Sequence, residues 1–456
     1  MRVLIAGLGQ SGVLLADLLS REKHDIIVID DSKEKLEEMT DKYNVSGVCG
    51  NAVSYDVMKK AGAETADVIV ALTTSDEINL VICMVAKSCG TRFAVARMNN
   101  PDLALDKGFF TNQFQIDYVI NPKEDLAVSV MQTLSLPGSV AADGFFSKGT
   151  ALLKVCVNEE SSLKNTSLMQ FRSNVGADVL VGLVKRGGKV TVPDGSFELK
   201  QNDVVELVVP RKSLVRVMTK LGIMRKTVKK VLIIGGGDVT YYLTEHLLEQ
   251  KKKISVLDND RERCIALSNA FPQVSVSYAE EINVEVLEEE GIQSADACIS
   301  LMDKDDMNLV ISMFAWSCGI KSVITQITNP SYESLLKKVD MGEAISAAVI
   351  SVQNIIGFIR NITVPNEEGN DIHCMYRIAD GAAEAIEFIA YEDFSKKNVC
   401  FKDTAFSLKK NTIIALIVRD KEVIIPCGDS TIEVGDHVVV LTKANSGFNT
   451  LNDILA

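Results

Sequence analysis

Two stretches of this sequence set a glycine-rich turn 23 positions ahead of an acid. Gly7-Leu8-Gly9-Gln10-Ser11-Gly12 precedes Asp30, and Gly235-Gly236-Gly237-Asp238-Val239-Thr240 precedes Asp258. These residue types suit the holding of phosphate and ribose. The first glycine permits a tight strand-to-helix turn, the second lets the backbone approach a pyrophosphate, and the third lets the helix pack closely on the strand. Amides at the helix N-terminus then face the phosphates, where unpaired N–H groups and the helix dipole favour anions. A carboxylate ending the next strand can accept from ribose hydroxyls, and its charge disfavours a 2′-phosphate. Asp30 is therefore expected to bind an adenine nucleotide, NAD(H) or ATP/ADP and not NADP. Its removal should weaken binding with little effect on the ligand-free fold.

The ends of later apolar runs extend this crevice. Thr73 and Thr74 follow ADVIVAL and offer hydroxyls near the phosphates, and Arg97 follows FAVA and offers positive charge. Helix capping by the threonines and a surface ion pair for Arg97 are the plain alternatives. The second copy departs in one direction, with Asp238 for Gln10, Asp303 for Thr74, Gln326 for Arg97, and Thr240 for the third glycine. Two gained carboxylates and one lost guanidinium predict a second site that is weak, empty, or dependent on a divalent cation bridging its carboxylates.

Hydride transfer would need an acid or base beside a substrate carbonyl. The chain has four histidines, His24, His246, His373 and His437, none at the end of a predicted strand of the large units. There is no Cys-His-Asn constellation and no metal-ligand cluster in the sequence. A nicotinamide-dependent oxidoreductase stands as the alternative to a non-enzymatic nucleotide switch, with no catalytic residue and no metal ligand assigned.

These residues must be positioned by a fold that is written twice. RVLIAGLGQSG at Arg2 returns as KVLIIGGGDVT at Lys230, 228 positions on, and ADVIVALTTSDEINLVICMVAKSCG at Ala66 returns as ADACISLMDKDDMNLVISMFAWSCG at Ala295, 229 on. Asn100-Pro101 and Asn329-Pro330 keep the latter offset. In the first half, runs at Val3–Ala6, Ile26–Ile29, Val68–Leu72, Phe93–Ala96 and Tyr118–Ile120 alternate with helical patterns. That alternation implies a parallel, doubly wound α/β sheet. After Pro137-Gly138 the texture turns to short β-rich runs, which return near the C-terminus with Arg186 matched by Arg419, Pro193 by Pro426 and Asp203 by Asp436, all 233 apart. The expected organisation is two tandem Rossmann-like doubly wound parallel-sheet domains, 1–140 and 229–364. Each is followed by a small β-rich α+β domain, 147–224 and 370–456.

Composition narrows the class further. At 456 residues and 47% apolar, the chain can bury several cores, and a net charge of −13 argues against nucleic acid as a partner. The one basic run, Arg225–Lys230, lies between the halves and reads as a solvated linker. No apolar run reaches the roughly 18 residues of a spanning helix, and Asn79–Ala86, the richest, reads as a buried helix. Met1 leads straight into a strand-like run, which predicts no secretory signal. The ten cysteines form no C-x-x-C pair and are expected to be reduced core thiols.

Together, the paired GLGQSG and GGGDVT turns, the VIDD and VLDND strand ends, the SDE-x-N and DKDDMN segments and the trailing β-rich units resemble the TrkA family of Trk-system potassium uptake proteins. That family is built of tandem RCK domains (regulator of K⁺ conductance). The resemblance covers essentially the whole chain. It implies a regulatory gating ring in the cytoplasm, peripheral on the inner face of the cell membrane. Such a ring is a homo-oligomer, a tetramer in the expected form, around a TrkH-like membrane K⁺ translocating subunit, and it binds NAD(H) or adenine nucleotides. The implied binding positions are Gly7, Leu8, Gly9, Gln10, Ser11, Asp30, Thr73, Thr74 and Arg97, then Gly235, Gly236, Gly237, Asp238, Val239 and Asp258. Gly50-Asn51-Ala52 and Ala279-Glu280-Glu281 depart from the family's Gly-Asp-Ala after the third strand.

Overall fold

The computed structural model describes all residues except 22–23, 101–106, 136–139, 142–149, 160, 162, 177–178, 223–227, 330–331, 333–335, 337–338, 340, 363–371, 380–381, 421 and 445. Pro101, Pro330, the Pro137-Gly138 boundary and the start of the basic linker thus lie outside the described residues. The chain divides into two compact units, Met1–Ser135 with Thr227–Ile359, and Leu136–Lys226 with Arg360–Ala456.

The first unit holds two six-stranded parallel sheets. In the first, β1 (Arg2–Ala6), β2 (Asp25–Asp30), β3 (Ser46–Cys49), β4 (Val68–Ala71), β5 (Phe93–Arg97) and β6 (Tyr118–Ile120) lie in the order 3-2-1-4-5-6. Val3–Ala6 and the whole of β4 are buried, as expected of parallel strands covered on both faces. Strand β3 escapes a reading of apolar runs because it is a mostly exposed sheet edge, Ser-Gly-Val-Cys, paired only with β2. The second sheet repeats the order with β12 (Lys230–Ile234), β13 (Lys253–Asp258), β14 (Ser275–Tyr278), β15 (Ala297–Ser300), β16 (Ser322–Gln326) and β17 (Glu343–Ile345).

A helix after each sheet packs on the other one. Helix Pro122–Ser135, which follows β6, places Leu126, Ala127 and Val130 in one core with Val231, Ile233, Leu243 and Leu247 of the second sheet domain. Helix Ala347–Ile362, which follows β17, stacks Phe358 on Tyr118 at 5.0 Å and sets it edge-on to Phe93 at 6.3 Å. The run Asn79–Ala86 falls in helix Asp76–Cys89, which is not wholly buried. Ile82, Cys83 and Ala86 face inward, while Ile78, Val81 and Met84 are exposed.

The second unit contains two antiparallel sheets. One is built from β7 (Val140–Ala141), β8 (Thr150–Cys156), β9 (Leu180–Arg186), β10 (Lys189–Thr191) and β11 (Val204–Pro210). The other is built from β18 (Ile372–Ile378), β19 (Ala383–Ile389), β20 (Thr412–Arg419), β21 (Glu422–Ile424) and β22 (His437–Lys443). Leu152, Leu183 and Val208 of the first share a core with Ala385, Leu416, Val439 and Leu441 of the second. Gly182 makes room for this contact, since a Cβ there would stand 2.5 Å from Leu441 Cδ1. The cysteines are only partly core thiols. Cys83, Cys264 and Cys298 are buried, with the Cys298 thiol pushed up to about 12 by burial, but Cys49, Cys156 and Cys427 are exposed.

The arginines and aspartates matched at offset 233 prove to be twin ion pairs. Arg186 grips fully buried Asp203 through Nε and Nη2, both at 2.7 Å, and Arg419 grips Asp436 in the same way at 2.8 Å. Burial pushes the Asp203 carboxyl up, but the Arg186 fork and the Lys200 amide outweigh it and hold the group below its ordinary 3.8. A carboxylate depressed by folding stabilises fully above its unfolded pKa and ceases to do so as pH falls through the folded one. Unfolding of this unit should therefore turn acid-labile below pH 3.8. Arg186→Ala, which strands the buried carboxylate, should cost about 3–5 kcal/mol at neutral pH by denaturant melts. A loss under ~1 kcal/mol would place the carboxylate in contact with water.

Candidate nucleotide site

The first glycine turn is forced by its neighbours. Gly7 has φ +97°, and a Cβ on it would stand 3.0 Å from the Leu72 carbonyl carbon and the Thr73 nitrogen. A Cβ on Gly12 would stand 2.0 Å from the Gly7 carbonyl oxygen, so helix Gln10–Ser20 starts hard against the turn. Gly9, the cap of that helix, has no side-chain partner and faces open space. Leu8, Ser11 and Gly12 are buried and Gly9 and Gln10 are exposed, which presents the helix N-terminus to whatever lies beyond β1.

Asp30 ends β2 beside this turn and is only 9% exposed. Its Oδ2 accepts from the Leu8 amide at 2.7 Å and its Oδ1 from the Ser32 amide at 3.0 Å. Burial raises its pKa, but these two amides and the charge of Lys35 bring it below 3.8, so the group is ionised at neutral pH. Each oxygen keeps a lone pair for a ribose hydroxyl. Asp30 also holds the glycine turn in place, a structural duty that the spacing did not disclose.

On the other side of β1, Thr73 donates its hydroxyl to Asn79 Oδ1 at 2.7 Å, so towards the crevice it can accept but not donate. Thr74 is exposed, and no hydrogen bond to its hydroxyl occurs among the described residues. Arg97, at the end of β5, is half-buried. Burial lowers its pKa and Asp76 raises it, and its Nε and Nη2 lie 3.3 Å from Asn99 Oδ1. Among the described residues no carboxylate lies within ion-pair distance of its guanidinium. The residues expected in the first site thus gather at the C-terminal ends of β1, β2, β4 and β5, where a doubly wound sheet binds its ligand.

The second turn shares this frame but differs in detail. Gly235 has φ +111°, and a Cβ on it would meet the Leu301 carbonyl at 2.6 Å. Asp258, fully buried, accepts from the amides of Gly236 and Asp260. Gly237 caps helix Asp238–Glu249 and faces open space, with Val239 half-buried behind it. Thr240 stands where Gly12 leaves no room, and its hydroxyl donates to the Gly235 carbonyl, turning a contact forbidden in the first copy into a hydrogen bond. The gained carboxylates are not bare. Lys123 pairs with Asp238, and Arg263 pairs with Asp303 at 3.1 Å. Simple repulsion of phosphate by two uncompensated charges does not describe this site. Among the described residues no group of three or more His, Cys, Asp or Glu is arranged to hold an ion.

The family model of the TrkA-N domain matches residues 3–122 and 231–347. The Trk system potassium uptake protein TrkA of Halomonas elongata is 30% identical over 444 residues, covering 96% of this chain and 95% of that one. The chain belongs to the TrkA family. The TrkA of Vibrio alginolyticus is 29% identical over the same shares of both chains. The structure of the GsuK channel bound to NAD superposes with a TM-score of 0.60 at 15% identity, covering 99% of this chain and 77% of that one. The GsuK RCK domain gives 0.59 at 15% identity, covering 99% and 93%.

Within this TrkA-family frame, two residues at the crevice had gone unassigned. Fully buried Asn79 bonds the Thr73 backbone on both sides and donates to the Arg97 carbonyl at 2.9 Å, tying the end of β4 to the end of β5. Asn308 does the same for Met302 and Gln326. Three residues earlier, Asp76 accepts from the amides of Asn99 and Asn100, and Asp305 from those of Thr328 and Asn329. The repeated Asp-x-x-Asn inside SDEIN and DDMN was the available signal. Because Asp30 holds the Leu8 amide, Asp30→Ala should lower ligand-free stability by about 1–3 kcal/mol, the cost of an unpaired buried donor. A thermal melt without nucleotide that matches wild type would show that the amide finds another acceptor.

Proposed function

We propose that this protein is the nucleotide-binding regulatory subunit of a potassium uptake system. On this reading it lies against the cytoplasmic face of the membrane as a homotetramer and gates a TrkH-like K⁺ translocating subunit. Its four domains would span 1–140, 147–224, 229–364 and 370–456. The observation that carries the reading is the first crevice, set in a chain that aligns over nearly its whole length with named potassium uptake proteins. There an open helix N-terminus at Gly9, an ionised carboxylate with spare lone pairs at Asp30 and a half-buried cation at Arg97 converge. These groups fit the pyrophosphate and ribose shared by NAD(H), ATP and ADP. The structures of GsuK bound to NAD and to ADP concern a relative in fold that takes both kinds of ligand. Among the described residues no helix is long and apolar enough to cross a membrane, so the reading assigns ion passage to a separate subunit.

The dehydrogenase alternative lacks comparable support. His24 precedes β2, His246 lies within helix Asp238–Glu249, His373 belongs to β18, and His437 pairs with Glu387 at 2.6 Å. Switching needs only differential affinity for two channel states, and about 1–3 kcal/mol gives roughly 5–150-fold coupling.

Self-assembly is supported by exposed apolar stripes at matching positions of the repeat. Val81 and Met84 are 43% and 40% exposed on helix Asp76–Cys89, and Val310 and Met313 are 62% and 58% exposed on helix Asp305–Ser317. Light scattering should report a tetramer, and Met84→Glu with Val310→Glu should shift it to smaller species. A monomeric wild type at micromolar concentration would overturn the ring. Calorimetric titration of the full chain with NADH, NAD⁺, ATP and ADP tests the ligand. Gly9→Asp puts a charge into open space at φ −80°. It should weaken binding on the order of tenfold or more while the ligand-free melt is kept. A wild-type chain that binds none of the four removes the nucleotide reading.

A further inference from the structure

The second glycine turn has lost the strand-end cation of the first, because Gln326 stands at the position of Arg97. A replacement arrives from the other half of the chain. Helix Pro122–Ser135, which leaves the first sheet after β6, begins beside the start of helix Asp238–Glu249. Two contacts lock the first turns together. Asn121 caps its own helix through Oδ1, which accepts from the amides of Lys123 and Glu124, and its Nδ2 donates to the buried Tyr242 hydroxyl at 2.9 Å. One turn nearer the glycines, Lys123 Nζ pairs with Asp238, the residue immediately after Gly237. The ammonium is therefore held next to the open Gly237 cap, with only Asp238 as its anionic partner among the described residues. The matching position in the first site carries Ala348, so this arrangement is confined to the second.

We propose that Lys123 is the phosphate-contacting cation of the second nucleotide site, delivered by the helix of the first half, and that Asp238 is the counterion it gives up when phosphate binds. A phosphate seated on the N-terminus of helix Asp238–Glu249 competes with Asp238 for the ammonium. Occupancy of the second site is thereby tied to the helix that joins the two sheet domains. This rests on the nucleotide-binding reading above and adds to it a second site with its own charge logic.

The test uses the full chain carrying Gly9→Asp, so that only the second site remains, titrated with ATP and with NADH. Lys123→Ala and Lys123→Gln should each weaken binding on the order of tenfold and flatten its dependence on salt, and Lys123→Arg should restore it. Asp238→Asn, which breaks the same ion pair from the other end, should tighten binding because the ammonium is freed. If Lys123 only braces the helices, both ends of the pair act alike, and weakening by Asp238→Asn as well as by Lys123→Ala overturns the proposal. So does unchanged affinity in the Lys123 variants, or no binding by the Gly9→Asp chain when wild type binds. In a Gly237→Asp chain, which keeps only the first site, Lys123→Ala should leave affinity unchanged, and a loss there of the same size would also overturn it. Failure of wild type to bind either nucleotide would instead sink the underlying reading.

Discussion

Both crevices depend on a strand-to-helix turn pressed against the backbone of the neighbouring strand. At Gly7 and Gly235 there is no space for a side chain, because the β4 and β15 ends pass within 3.0 Å and 2.6 Å of where a Cβ would be. That closeness aims the helix N-terminus at the crevice and brings the acid of the next strand within reach of the turn's amides. Asp30 and Asp258 then fasten the turn from one side, and Asn79 and Asn308 fasten the strand ends from the other. A ligand would meet a frame whose polar groups are already satisfied by one another, with the open glycine cap and the strand-end charges left to face it.

The two copies keep this frame and vary what is mounted on it. Where the first copy offers Arg97 with no acid paired to it among the described residues, the second offers two acids that each carry a cation, Lys123 on Asp238 and Arg263 on Asp303. Counting charges along the sequence suggests plain repulsion, whereas the folded arrangement is a set of ion pairs that a phosphate can rearrange. Such half-exposed pairs contribute little to stability, which leaves them open to exchange partners.

Much of the frame was legible from residue order, for physical reasons. Buried parallel strands must be apolar runs, a turn with no room for a Cβ must be glycine, and a duplicated domain must repeat both at a fixed offset. Strand β3 was not legible because an exposed edge has no apolar pattern, and the outward face of helix Asp76–Cys89 was hidden by its high apolar content. The second duty of Asp30 and the roles of Asn79 and Asn308 are hydrogen bonds whose partners are set only once the strand ends are neighbours. The Lys123–Asp238 pair joins residues 115 apart in opposite halves, a contact that no local spacing can announce.

The exchange of helices between the two sheet domains also bears on how such a chain can evolve. With Leu126 and Val130 buried in the second domain and Phe358 stacked on Tyr118 of the first, the halves form a built-in pair, like a symmetric dimer fused into one polypeptide. In a true homodimer every substitution strikes both sites at once. After fusion a single codon change alters one site and spares its twin, so one copy can carry Thr240, Asp238 and Gln326 where the other carries Gly12, Gln10 and Arg97.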